Sequence, residues 1–174
     1  MKLLLSNSTP TNASYTLESG QIIYRVTTPF KLKNSLSTIE RVVPNDDADD
    51  MRDVFDELAT IQWKIIESSI ITTRGTSREV KEVFRKVRTG WFGRNMAFKA
   101  PDGLEYCWKP RPFGLKLFLN DGSDTLIAKS KQSNVFKSHQ GYLDILPGGE
   151  HIADSILVTF VYIEKLRQRE RQSQ

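Results

Sequence analysis

Cys107 is the only cysteine in the 174-residue chain, so no internal disulfide can form and a reducing compartment such as the cytoplasm fits. Two histidines beside that cysteine make a zinc site improbable unless carboxylates are brought in from afar. Long hydrophobic runs are missing too. The longest near-continuous one, Ile156 to Ile163, falls well short of the ~20 residues a membrane-spanning helix needs. Met1 to Leu5 begins like a secretory leader, but polar Ser6 to Pro10 ends the stretch before an apolar region of about 7–15 residues builds up. There is no internal repeat and no low-complexity tract.

What is present is the composition of a packed domain. Hydrophobic residues at 39% and charged residues at 26% exclude wholesale disorder, collagen and coiled coil. A single core at this length buries roughly 70% of the unfolded surface, so neither a disulfide nor a structural metal is required.

The net charge of +4 conceals an asymmetry. Between Pro44 and Leu58, seven acids (Asp46, Asp47, Asp49, Asp50, Asp53, Asp56 and Glu57) face Arg52 alone, which leaves a surplus of ten positive charges elsewhere. A mobile acidic loop at about 44–53 is the expectation, open to a protein partner. It fails the calcium-loop template, because counting from Asp46 the sixth position is Met51 where glycine is required. Eleven bases lie between Arg74 and Lys116 against four acids. Candidates for an anion-binding or lipid-binding face are Arg74, Arg78, Lys81, Arg85, Lys86, Arg88 and Arg94, with Trp91 and Phe92 as an apolar membrane tip between Arg88 and Arg94. The plainer alternatives are a solvated face for the bases and core positions for the two aromatics.

Along the chain, residues 1–13 read as a flexible tail. Tyr15 to Thr27, with Ser19-Gly20 between, is a hairpin pattern; Leu36 to Val43, Ala59 to Ile66 and Ile70 to Thr73 are further strands. Val80, Val83, Phe84 and Val87 fall at helical spacing between an N-capping Ser77 and Gly90, predicting one short basic helix. Pro101-Asp102-Gly103 and Asn120-Asp121-Gly122 set two more hairpins, and Tyr142 to Leu146 is the last strand. After Pro147-Gly148-Gly149, the residues Ile156, Leu157, Val158, Phe160, Val161 and Ile163 cover every side of a helical wheel. A helix surrounded by protein is therefore expected, with a central strand as the competing reading. Residues 14–170 form the single domain, and 171–174 a flexible end.

Hairpins in series closed by one apolar C-terminal helix are the order of the Tubby-like fold. The strings Phe98-Lys99-Ala100-Pro101-Asp102-Gly103-Leu104-Glu105-Tyr106-Cys107-Trp108-Lys109 and Ile152 to Lys165 resemble those of a fungal family of unknown function. That family, common in mushroom-forming fungi, is grouped with the Tubby-like, LURP-one-related and phospholipid-scramblase proteins. The resemblance covers roughly Tyr15 to Arg167. It implies a mainly β fold, a closed antiparallel barrel of about twelve strands around the hydrophobic helix, and no enzymatic activity. Tubby proteins bind phosphoinositide headgroups through basic residues, but no short motif carries those positions onto this chain.

No catalytic constellation emerges. Cys107 could pair only with His139 or His151, and mid-strand it lacks the glycine or helix N-terminus that activates a thiolate. Gly90-Trp91-Phe92-Gly93-Arg94 lacks the spacing of a phosphate loop and reads as a turn, and no motif calls for a cofactor. The expectation is a non-enzymatic binding module for anionic phospholipid at a cytoplasmic membrane surface. A protein-interaction module using the acidic loop is the alternative. Nucleic acid is a less favoured partner that sequence does not separate from lipid.

Overall fold

Short runs of β-branched and aromatic residues, alternating between two faces and punctuated by tight turns, favour strands throughout the first 145 residues. The computed structural model describes residues 1–29, 35–45, 52–64, 67–90, 93–132 and 140–172. In the N-terminal half lie β1 (Lys2–Leu5), β2 (Ala13–Thr16), β3 (Ile22–Thr27), β4 (Leu36–Val43), β5 (Val54–Gln62), β6 (Ile70–Thr73) and β7 (Thr76–Glu79). A single helical turn, α1 (Val80–Val83), leads to β8 (Phe84–Gly90), β9 (Gly93–Lys99), β10 (Glu105–Arg111), β11 (Gly114–Leu119), β12 (Leu126–Lys131) and β13 (Tyr142–Ile145). All belong to one antiparallel sheet in the order β7-β6-β5-β4-β3-β2-β1-β13-β12-β11-β10-β9-β8.

A 3-10 segment, Pro147–Ile152, then delivers the chain into α2 (Ala153–Gln172). Gly149 makes that entry possible, because a Cβ there would sit 2.6 Å from the Ile127 side chain and 3.0 Å from that of Ile156. Nine consecutive helical residues, Ile156 to Glu164, are buried. Burial over two and a half turns leaves no solvent-facing stripe, so the sheet wraps the helix on all sides. Ile156, Leu157, Val158, Phe160, Val161 and Ile163 contribute to this core, and the segment is helix rather than strand.

Four expectations need correction. The sheet has thirteen strands and is not closed: β7 and β8 are its two edges. Between them the chain makes a helical turn fixed by a reciprocal capping box of Glu79 and Glu82, where a closing ladder needs extended backbone. The predicted basic helix shrinks to that turn. Ser77 lies in β7, its hydroxyl 2.8 Å from that of Thr72, and Phe84 already has extended backbone at φ −114°, ψ 135°. Residues 1–13 are no loose tail, for β1 pairs with both β2 and β13 and buries Leu3 and Leu5. At the other end the helix runs on to Gln172. Of the acidic segment, Asp46 to Met51 lie outside the described residues, while Asp56 and Glu57 belong to β5, opposite Arg41 and Glu40.

A stack of aromatic rings links the end of β5 to the edge strand β8 through the helix. Tyr162 of α2 stacks on Trp63, just beyond β5, with centroids 5.5 Å apart, and on Phe84 of β8 at 5.2 Å. The Trp63 indole N–H donates to the Ser37 hydroxyl, 2.6 Å away, which anchors that end of the stack on β4.

Candidate functional site

Strand register decides which side chains face the helix. Partners in a ladder share a face, so Arg78, opposite buried Ile71, lies on the core side of β7, and Thr73 and Thr76 lie on the core side with Ala59. Arg41, opposite buried Tyr24, does the same on β4. Arg41, Thr76 and Arg78 are solvent-exposed nonetheless, so these polar and charged groups form the rim of the apolar core face. They do so at the N-terminal end of α2, around a cavity of about 660 Å³ lined from β6, β7, α1, β9 and the first turns of α2. Strands from both sides of the open seam contribute to its wall.

The two charges nearest the helix start neutralise each other. Asp154 accepts from the Arg41 guanidinium at 3.1 Å and from the Tyr24 hydroxyl at 2.7 Å. Burial first, then the Asp154 carboxylate, pushes the Tyr24 phenol well above its usual range, so it stays a donor. Glu150 is bonded to the Met1 amino group at 2.6 Å. Among the described residues, two cations of the lining have no carboxylate partner, Arg74 and Arg78; Lys99 borders the space too, but its pairing with Glu105 puts its side chain on the outer face with Arg85. The apolar part of the wall includes Ile71, Val83, Phe98 and Val158.

Arg74 is also conformationally unusual. It has φ 49° and its neighbour Gly75 has φ 75°, the two left-handed centres of the β6–β7 hairpin turn. Asn-Gly is the usual choice there, and a long cation gains nothing in the turn itself.

Beside the cavity the His151 ring donates to the Asp102 carboxylate at 2.9 Å, and Asp102 also accepts from the Tyr106 hydroxyl at 2.6 Å and the Leu104 N–H at 3.0 Å. Burial alone raises the Asp102 pKa, but these hydrogen bonds outweigh it and hold the carboxyl below its usual range. The group ties the β9–β10 turn to the 3-10 segment. Cys107 is buried in β10, and burial pushes its thiol up, away from thiolate. His139 lies outside the described residues. Among the described residues no cluster of three metal-ligating side chains occurs.

The far end of α2 holds a second buried polar group of different character. Arg167 donates to Glu164 at 3.0 Å, to the Gly114 carbonyl at 2.8 Å and to the Arg111 carbonyl at 2.9 Å, and Gln132 donates to Glu164. Every partner is satisfied within the protein, which marks an internal brace.

The seven bases singled out from the sequence do not form one face. Arg74 and Arg78 meet at the cavity. Lys81 is ion-paired with Glu79 at 2.8 Å, and Arg85 forks onto Glu105 at 2.7 and 3.1 Å, on the sheet face opposite to that of Phe84 and Phe98. Lys86 and Arg94 are exposed, and Arg88 lies in β8. Trp91 and Phe92 lie outside the described residues. Sequence reading missed Arg41, Asp154 and Tyr24 as site members. Only the Arg-Gly turn carried a local signal.

The molecule is thus a mainly β domain, an antiparallel meander around one buried C-terminal helix, with an amphipathic cavity at the start of that helix. No helix among the described residues is long and apolar enough to cross a membrane. The chain belongs to the Family of unknown function (DUF6593), whose family model matches residues 8–169. No curated protein and no solved structure matches it.

Proposed function

We propose that the domain is a non-enzymatic binding module for anionic phospholipid, working peripherally at a cytoplasmic membrane surface, and that its fold is a Tubby-like one with an open seam. The observation that carries the binding reading is the placement of Arg74 and Arg78, without carboxylate partners among the described residues, on one cavity whose lining also includes Ile71, Val83, Phe98 and Val158. An unpaired cation beside apolar surface favours a ligand that brings a negative group and hydrocarbon together. A buried helix inside a long antiparallel meander supports the Tubby-like assignment, and a buried Cys107 with a raised thiol pKa supports a non-catalytic role.

Flotation with phosphatidylcholine vesicles carrying phosphatidylserine or phosphoinositide tests this reading. Binding should occur at low ionic strength, fall as salt screens the surface, and be absent with phosphatidylcholine alone. The combined change Arg74→Asn and Arg78→Ser should abolish it. Equal binding to neutral vesicles, or full binding by the double variant, would refute the proposal.

A further inference from the structure

We infer that the cavity admits a single-chain anionic amphiphile, with its acidic head on Arg74 and Arg78 and its hydrocarbon chain along Ile71, Val83, Phe98 and Val158. This rests on the anionic-lipid reading above and adds where the chain goes. The volume of about 660 Å³ falls within the range of small-molecule sites, roughly 300–1,000 Å³, that enclose most of their ligand.

Charge around the cavity narrows the head. Asp154 is already held by Arg41 and Tyr24, Glu150 by the Met1 amino group, and Asp102 by His151 and Tyr106. Two positive charges, Arg74 and Arg78, are left over, and a carboxylate or phosphate supplies what they lack. The start of α2 adds its own partial positive charge, since Ala153, Asp154 and Ser155 border the same space. The wall draws on β6, β7 and α1 on one side of the seam and on β9 on the other.

Arg74 gives independent support. A left-handed non-glycine residue costs of order 1 kcal/mol, and such strain persists where the side chain serves a purpose that the turn does not require. Asparagine or glycine would relieve it at once, at the loss of a cation on the rim.

Fatty acids of ten, twelve and fourteen carbons, kept below their micellar concentrations, are the probe, with titration calorimetry on the full chain as the readout. Affinity should rise about fourfold per added methylene, the factor that follows from ~0.8 kcal/mol per buried CH₂. Thr73→Trp, which puts an indole into the cavity from the β6 wall, should lose the fatty acids; Ser155→Phe blocks it from the helix side should the first variant not fold. Arg74→Asn with Arg78→Ser should weaken all three acids alike while keeping the chain-length slope.

Affinity independent of chain length, or retained by a folded blocked variant, overturns the inference. So does failure of the fatty acids to bind while phosphatidylserine vesicles still bind, a result that leaves the membrane reading standing. Loss of both kinds of binding in the wild-type chain removes the two together.

Discussion

The indole N–H of Trp108 donates to the Thr159 hydroxyl at 2.9 Å, fully inside the protein, and fastens β10 to α2. The hydroxyl in turn reaches back to the Ser155 carbonyl at 2.8 Å, so one threonine serves strand and helix together. Thr159→Val keeps the shape but leaves the indole donor buried without a partner, which should cost about 1–3 kcal/mol in urea denaturation. Thr159→Ser should recover most of the hydrogen-bonding part, and a neutral Thr159→Val would show that the bond contributes nothing net.

Gly114 sits where β11 meets β12. A Cβ there would lie 2.0 Å from the Ser130 carbonyl oxygen, and that oxygen belongs to backbone, so the two strands must separate for any side chain to fit. Gly114→Ala should therefore destabilise by at least the ~1–3 kcal/mol typical of overpacking, read as a lowered denaturation midpoint. A wild-type midpoint would mean that the strands move apart freely.

The hydrogen bonds on Asp102 set an acid-side prediction. Its carboxyl titrates below the ordinary range in the folded state, so the unfolded chain binds more protons than the native one as pH approaches the usual aspartate value. The stabilisation is present above about pH 4 and fades as pH falls through the folded value. Asp102→Asn should flatten this part of the stability–pH curve; an acid limb identical to wild type would contradict it. On the alkaline side Tyr106 is pushed up to about 12, by burial and then by Asp102, so its contribution holds below pH 10 and is lost approaching 12.

Arg74→Asn should raise stability by about 0.5–1 kcal/mol while lowering affinity for anionic ligand, since asparagine tolerates the left-handed conformation and the lost cation faces the cavity. Thermal melts and vesicle binding on the same preparation separate the two effects. A drop in stability would show that the arginine supports the hairpin instead.

Much of the sheet was legible because its information is local. Leu36 to Val43 and Ile70 to Thr73 alternate by themselves and match β4 and β6, and the Asp-Gly turns place β9 to β12. The misses have non-local causes. Nothing near Leu3 and Leu5 reveals that their partner strand is β13, and the acids of β5 resemble a loop because their pairing to β4 is invisible in the string. Val80, Val83 and Val87 fit a helical period, yet β-branched residues also suit strands, and the sheet edge prevailed after one turn. At the site, clustering of bases in sequence misled, because ladder register sets the face: Arg78 of β7 pairs with buried Ile71 on the core side, whereas Arg85 of β8 follows core-facing Phe84 and so takes the other side.

The pairing of β1 with β13 has a bearing on the order of assembly. Strands β1 to β7 and β8 to β13 are each a run of neighbouring hairpins, able to form early and independently, but Leu3 must find Leu143 across 140 residues before the two runs become one sheet. Their shared core element, α2, is also the last to leave a ribosome among the elements described. Both half-sheets therefore wait with an uncovered apolar face, and the rate of folding is governed by one long-range encounter rather than by any hairpin. In stopped-flow refolding, Leu143→Ala should slow the major phase, whereas Ile39→Val in the β3–β4–β5 ladder should act chiefly on unfolding.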